Sequence, residues 1–176
     1  MGSGRHAALR RQYLPWHDRV VTAETSARLD IMPIWRSLNG MLVELVDFVP
    51  DGRMQWSPKP ELWSFHRIFL HLCEAREQWM NRAINDGQPD IDVYANVHSK
   101  DDIRDAFQRT WDRIERPFTD PARLDATYKD RYWAEAPLRN GHWVAFHLLE
   151  HDIHHRADLL LYLALLGIET PQVWTP

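Results

Sequence analysis

Four histidines crowd into one short, otherwise apolar segment: His147, His151, His154 and His155. At about 100° per residue, His151 and His155 lie about 40° apart around a helix and about 6 Å apart along it. Two imidazoles so spaced can grip one metal ion, as in the helical H-x-x-x-H of zinc enzymes. His71 lies far upstream in a second amphipathic segment. Two ligands from one helix and a third from another make an open three-histidine site, with a position left for water or substrate. Burying an imidazole without a partner costs about 1–3 kcal/mol, and a divalent ion that accepts the ring lone pairs removes that cost. A polar network, or a stripe facing a wet cleft, is the alternative reading. All-nitrogen ligation suits zinc, nickel, iron or copper without choosing among them. Such an ion acts as a Lewis acid or lowers the pKa of bound water.

The neighbours of these histidines extend the candidate site. His147 is one turn before His151 and can replace or supplement a ligand. His154 is about 100° from His155 and about 60° from His151, so it points toward a neighbouring helix or solvent. Carboxylates that could hold a second ring nitrogen and fix its tautomer are Asp158, on the His155 face, and Glu150 and Asp152, which flank His151. Solvated charges or i,i+4 ion pairs are the plainer reading of all three. Glu74 is rotated about 60° from His71 and reads as a surface residue. Arg156 can bind a substrate carboxylate bidentately or serve only at the surface. Tyr162 can reach the site or fill the core. Cys73, the only cysteine, lies about 160° around the helix from His71 and reads as a buried structural thiol. His6, His17, His66, His98 and His142 are isolated and read as surface or loop residues.

The elements that must position these groups are legible in the apolar spacing. Ile31, Ile34, Trp35, Leu38, Met41, Leu42, Leu45, Val46 and Val49 form one helical stripe, capped by Asp30 and ended by Pro50-Asp51-Gly52. Pro33 is tolerated because it falls in the first turn. After a loop rich in proline and tryptophan, Ser64 caps a second helix with a stripe from Phe65 to Ala83, and His71 flanks it. Asp86-Gly87 is its expected stop. A third helix carries Ile103, Ala106, Phe107, Thr110, Trp111 and Ile114, closed by Pro117. Residues 117–138 read as a short extended segment or loop over one end of the domain, with Tyr128, Tyr132 and Trp133. A fourth helix runs from near Asn140 to Leu166, with Gly167 as its stop. Four amphipathic helices joined by unequal connections predict an all-α four-helix bundle whose topology is not simply up-down-up-down. Residues 1–29 read as an N-terminal arm or short extra helix, and 30–176 as one domain.

Composition narrows the function classes. The chain has 176 residues, a formal charge of −4, 44% apolar and 26% charged residues, which fits a single globular domain. Without a basic face, nucleic-acid binding is disfavoured. No apolar run reaches the ~18 residues of a membrane span, and no signal-peptide core is present. With one cysteine, a reducing compartment fits, and the cytoplasm is the expected location. Nine tryptophans suggest large aromatic packing units, with the loops near residues 56–63 and 128–135 as candidate pocket walls. No Gly-rich phosphate loop or G-x-S-x-G elbow occurs.

Two stretches resemble a known family. Trp63-Ser64 leading to His71-Leu72-Cys73-Glu74-Ala75-Arg76 is similar to the second-helix signature of the DinB-like (YfiT-like) proteins. His151-Asp152-Ile153-His154-His155-Arg156-Ala157-Asp158, running on to Leu166-Gly167, resembles their fourth-helix signature. The likeness covers roughly residues 30–170. It implies a four-helix bundle with long crossover connections, often dimeric, and a divalent metal (zinc, nickel or iron) held by His71, His151 and His155. It implies a metal-dependent enzyme acting on a small molecule, either a transferase that uses a low-molecular-weight thiol as cosubstrate or a hydrolase. A non-catalytic metal- or ligand-binding stress-response protein is the alternative. His147, His154, Arg156, Asp158 and Tyr162 stand as substrate or supporting candidates. Family members usually read His-Arg-Gly-Gln where this chain has His155-Arg156-Ala157-Asp158, which places a carboxylate near the metal.

Overall fold

The computed structural model describes residues 30–84, 92–95, 97–130 and 135–170. The expected N-terminal arm, the stop at Asp86-Gly87, and Tyr132 and Trp133 lie outside those residues.

Helix α1 spans Met32–Phe48, with Pro33 in its first turn. Asp30 accepts a hydrogen bond from the Met32 amide (3.0 Å), but the cap position falls one residue later than expected, on Ile31, whose side chain makes no capping bond. The buried face of α1 is narrower than the apolar pattern implies. Trp35, Leu38, Leu42, Leu45 and Val46 are inside, but Ile34 is 55% exposed. Ile34 stands one full step (about 100°) around from Trp35 and falls off the buried stripe. The polar Asn39 is buried instead.

Helix α2 spans Phe65–Trp79, and Ser64 accepts from the Arg67 amide. It continues as a π-helical turn over Met80–Ile84. Helix α3 spans Lys100–Phe118 and begins in a reciprocal capping box between Ser99 and Asp102. Pro117 lies inside its last turn rather than after it. Residues 117–138 contain more order than a plain loop: a short helix α4 (Pro121–Asp125), then β1 (Thr127–Tyr128) paired antiparallel with β2 (Arg139–Asn140). Helix α5 spans Gly141–Leu165. Asn140 caps it by accepting from the Trp143 amide, and Gly167 follows at φ 71°.

The long helices pack α1 on α3, α3 on α2, α2 on α5 and α5 on α1. Consecutive helices α1 and α2 are therefore diagonal partners, as are α3 and α5. A crossover connection is the geometric consequence, and the molecule is an all-α four-helix bundle of that kind. Its core centres on Trp35, which meets Trp111 edge-on at 5.7 Å and Phe118 at 5.8 Å, and on Phe69 against Phe107. The outer side of α5 leaves Phe146, Ile153, Leu161 and Leu165 exposed. Among the described residues, no helix is long and apolar enough to cross a membrane.

Candidate metal centre

The α2–α5 seam sets the site. The two helices run antiparallel along it: Phe65 meets Tyr162, and Trp79 meets Trp143 and His147. That register puts His71 opposite His151 and His155, which α5 presents one turn apart. The three rings have centroids 4.6–5.0 Å apart. One nitrogen from each lies within 4.8 Å of the others, so a single ion can be shared by all three. His71 and His151 approach through their Nε2 atoms, 3.1 Å apart.

Carboxylates stand behind two of the rings. His155 Nδ1 is 3.0 Å from Asp158 Oδ2, and His71 Nδ1 is 3.4 Å from Glu74 Oε2. A carboxylate accepts only from N–H, so it places the proton on Nδ1 and the lone pair on Nε2. Asp158 thus does what the sequence suggested. Glu74 corrects the surface reading: its Oε2 also accepts from Arg67 Nη1 (3.2 Å) and from the Tyr94 hydroxyl (2.5 Å). The signal was available, because His71-x-x-Glu74 and His155-x-x-Asp158 have the same i,i+3 spacing.

Burial lowers the pKa of His71 and pushes that of His151 down to about 3, with the neighbouring imidazoles adding to the effect. A neutral ring is the form that coordinates. The His151 Nδ1 is buried and has no hydrogen-bond partner among the described residues.

The other candidates go elsewhere. His147 stacks on Trp143 and meets Trp79 edge-on, outside the three-histidine group. His154 is exposed, 4.0 Å from Asp158. Arg156 lies toward α1, its Nη1 3.8 Å from Met41 Sδ. Tyr162 is core, edge-on to Trp56 and Phe65. Cys73 is fully buried and its thiol is pushed up to about 11 by that burial, so it is no nucleophile.

Asp152 does not support His151. It points into the bundle, where Oδ2 accepts from Arg76 Nη2 and from Trp35 Nε1, both at 2.7 Å. Arg76 also donates to Asn39 (2.9 Å) and lies against Phe107 and Trp111. This pair is wholly buried and is a tie among all four long helices, not the solvated charge that the sequence suggested. The reason is rotation: at about 100° from His151, Asp152 faces the bundle axis.

Of the two tryptophan-rich loops, the first walls the site. The Trp63 ring packs on His71 at 4.5 Å and on His155 at 6.0 Å. Arg67 lies over the Trp63 ring and donates to the Tyr94 hydroxyl. Arg67 and Tyr94 are residues that sequence reasoning missed, since neither follows from periodicity.

With that geometry in view, comparison with known proteins is informative. The sequence profile of the DinB superfamily matches residues 35–159. No curated protein matches the chain. Solved structures that share the fold include three DinB-like proteins. A DinB-like protein from Bacillus subtilis is 16% identical with TM-score 0.62, covering 82% of this chain and 96% of its own. One from Bacillus cereus is 14% identical with TM-score 0.64, covering 82% and 95%. A protein assigned to the DinB family from Exiguobacterium sibiricum is 18% identical with TM-score 0.62, covering 84% and 99%.

Proposed function

The chain belongs to the DinB superfamily, and on that premise we propose that it is a divalent-metal-dependent enzyme acting on a small molecule, with His71, His151 and His155 as the ligands. One observation carries this reading: three imidazole nitrogens from two helices converge within 4.8 Å, with Nδ1 of two of the rings tied to carboxylates. The donor set fits the ion. Two neutral rings that turned bare Nε2 lone pairs toward each other at 3.1 Å would repel unless a cation or a proton lay between them.

A bound zinc, nickel or iron ion would supply Lewis acidity at that point. The chain's own residues do the rest. Glu74 and Asp158 hold the rings in the coordinating tautomer. Trp63 covers one side of the cluster and keeps water from that side. The side chains of His71 and His155 remain 23% and 14% exposed, which leaves an approach for substrate. The obvious fourth protein ligands, His147 and Asp158, are occupied elsewhere, which favours an open position over a closed structural site.

The nucleophile comes from outside the chain, because Cys73 is buried and protonated. A low-molecular-weight thiol or water fits, giving thiol transfer first and hydrolysis second. Elemental analysis of untagged protein should find about one divalent ion per chain. Thiol consumption with a panel of electrophiles, and cleavage of esters and amides, should vanish on chelation and return with metal. Activity that ignores chelation would refute the reading.

A further inference from the structure

We propose that the substrate of this centre carries a carboxylate, or a similar oxyanion, and that Arg67 binds it. The inference rests on the metal reading above and adds the substrate class.

Arg67 is one turn before His71 on the same face of α2. Its guanidinium lies 5.0 Å from the Trp63 centroid and 5.1 Å from that of Tyr94, which meets it through its hydroxyl. Trp63 is the same ring that packs on His71 and His155. The cation and the three-histidine cluster thus share one wall. Polar contacts fix the orientation further: only Nη1 is engaged, with Glu74 Oε2 and the Tyr94 hydroxyl. Among the described residues, Nε and Nη2 have no hydrogen-bond partner. Those two N–H groups form the side-on edge with which arginine grips a carboxylate bidentately. A planar fork already held by Trp63 and by the Nη1 hydrogen bonds loses little freedom on binding. The edge is reachable, since the Arg67 side chain is 38% exposed, and Trp63 and Tyr94 are exposed as well.

Charge points the same way. Without an ion, Glu74 and Asp158 outweigh Arg67. With a divalent ion on the histidines, the cluster holds one net positive charge. Anion binding at Arg67 is therefore tied to metal loading. Arg156, the arginine suggested by the sequence, faces α1 and offers no such arrangement.

The test uses full-length protein loaded with cobalt(II), whose sulfur-to-cobalt charge-transfer band reports thiol binding without turnover. The probes are two matched pairs: 3-mercaptopropionate with its amide, and 6-mercaptohexanoate with its amide. In each pair the thiol is common and only the far end changes charge. For at least one pair the carboxylate should bind about tenfold tighter or more than the amide, as a charge-assisted bidentate contact requires. That preference should collapse toward one in Arg67→Met and persist only in part in Arg67→Lys, both variants keeping cobalt. Equal affinities for acid and amide in both pairs would overturn the proposal and leave the metal reading standing. So would a preference that survives in Arg67→Met, or probes that leave the band unchanged. A protein that takes up no cobalt would overturn the proposal and the metal reading together.

Discussion

At the scale of single residues, the carboxylates behind the rings separate a metal centre from a mere cluster of histidines. Asp158→Ala removes the acceptor at 3.0 Å from His155 Nδ1, and Glu74→Ala removes the one behind His71. Each ring then loses what fixes its tautomer, and zinc affinity should fall about 10- to 100-fold in each variant. Competition with a chromophoric chelator measures this. His154→Ala should leave affinity unchanged, since that ring is exposed and outside the cluster. His147→Ala should also keep full metal stoichiometry, because its ring packs with Trp79 and Trp143. Loss of the ion from either of these two variants would mean the ligand set is misassigned. The ligands themselves were legible in the sequence because H-x-x-x-H is a local relation that a helix converts directly into geometry. Glu74 was equally local, at i,i+3 from His71, and its role could have been read the same way; what the spacing does not carry is the contact from Tyr94 that helps hold it in place.

At the scale of elements, the bundle depends on a charged pair that no periodicity reveals. Arg76 falls on the apolar stripe of α2 and Asp152 next to a candidate ligand on α5, and each alone reads as an anomaly or a surface charge. Together they are a buried ion pair, bridged to α1 by Trp35 and Asn39. Pairing across 76 residues is set by helix packing order, which the sequence does not state. Asp152→Ala would leave the Arg76 cation buried and unpaired, at a cost of about 3–5 kcal/mol. The double change Arg76→Met with Asp152→Leu should cost much less, because it removes both charges. Urea unfolding of the unaltered protein and the two variants distinguishes the cases; a double variant as unstable as the single one would show that the pair does more than neutralise itself. The start of α5 makes a second demand. A Cβ at Gly141 would lie 2.4 Å from the Arg123 carbonyl oxygen and 2.7 Å from Leu124 Cα, both backbone atoms of α4. Gly141→Ala should therefore destabilise the fold by about 1–3 kcal/mol, and the same denaturation experiment reads it. Asn140, the cap, was visible as a helix start, whereas the close approach of α4 was not, because α4 itself lay in a stretch with no clear pattern.

At the scale of the whole molecule, the crossover order of the helices couples the centre to stability. The ligands come from α2 and α5, which also share the buried pair, so an ion at the seam fastens two helices far apart in sequence. Proton binding acts against it in a direction the burial fixes. His151 sits at about 3 in the folded protein against an ordinary 6.5, and His71 is lowered in the same sense. Between those values the unfolded chain takes up protons that the folded chain refuses, so stability rises with pH across this window. The metal-free protein should hold its full stability from these rings above about pH 6.5 and lose it progressively as pH falls toward 3. A His151→Phe variant should flatten that slope. Zinc opposes the loss, because it binds the neutral folded rings: a hundredfold excess over Kd adds about 2.7 kcal/mol, or roughly 5–10 °C in Tm for a domain of this size. The zinc-induced rise should persist at pH 5, where the folded protein still keeps His151 neutral, and shrink only as pH falls toward 3, and chelation should abolish it. Thermal unfolding across that range, with and without zinc, decides the matter. A Tm that zinc does not move at pH 7.5 would be incompatible with coordination by these imidazoles.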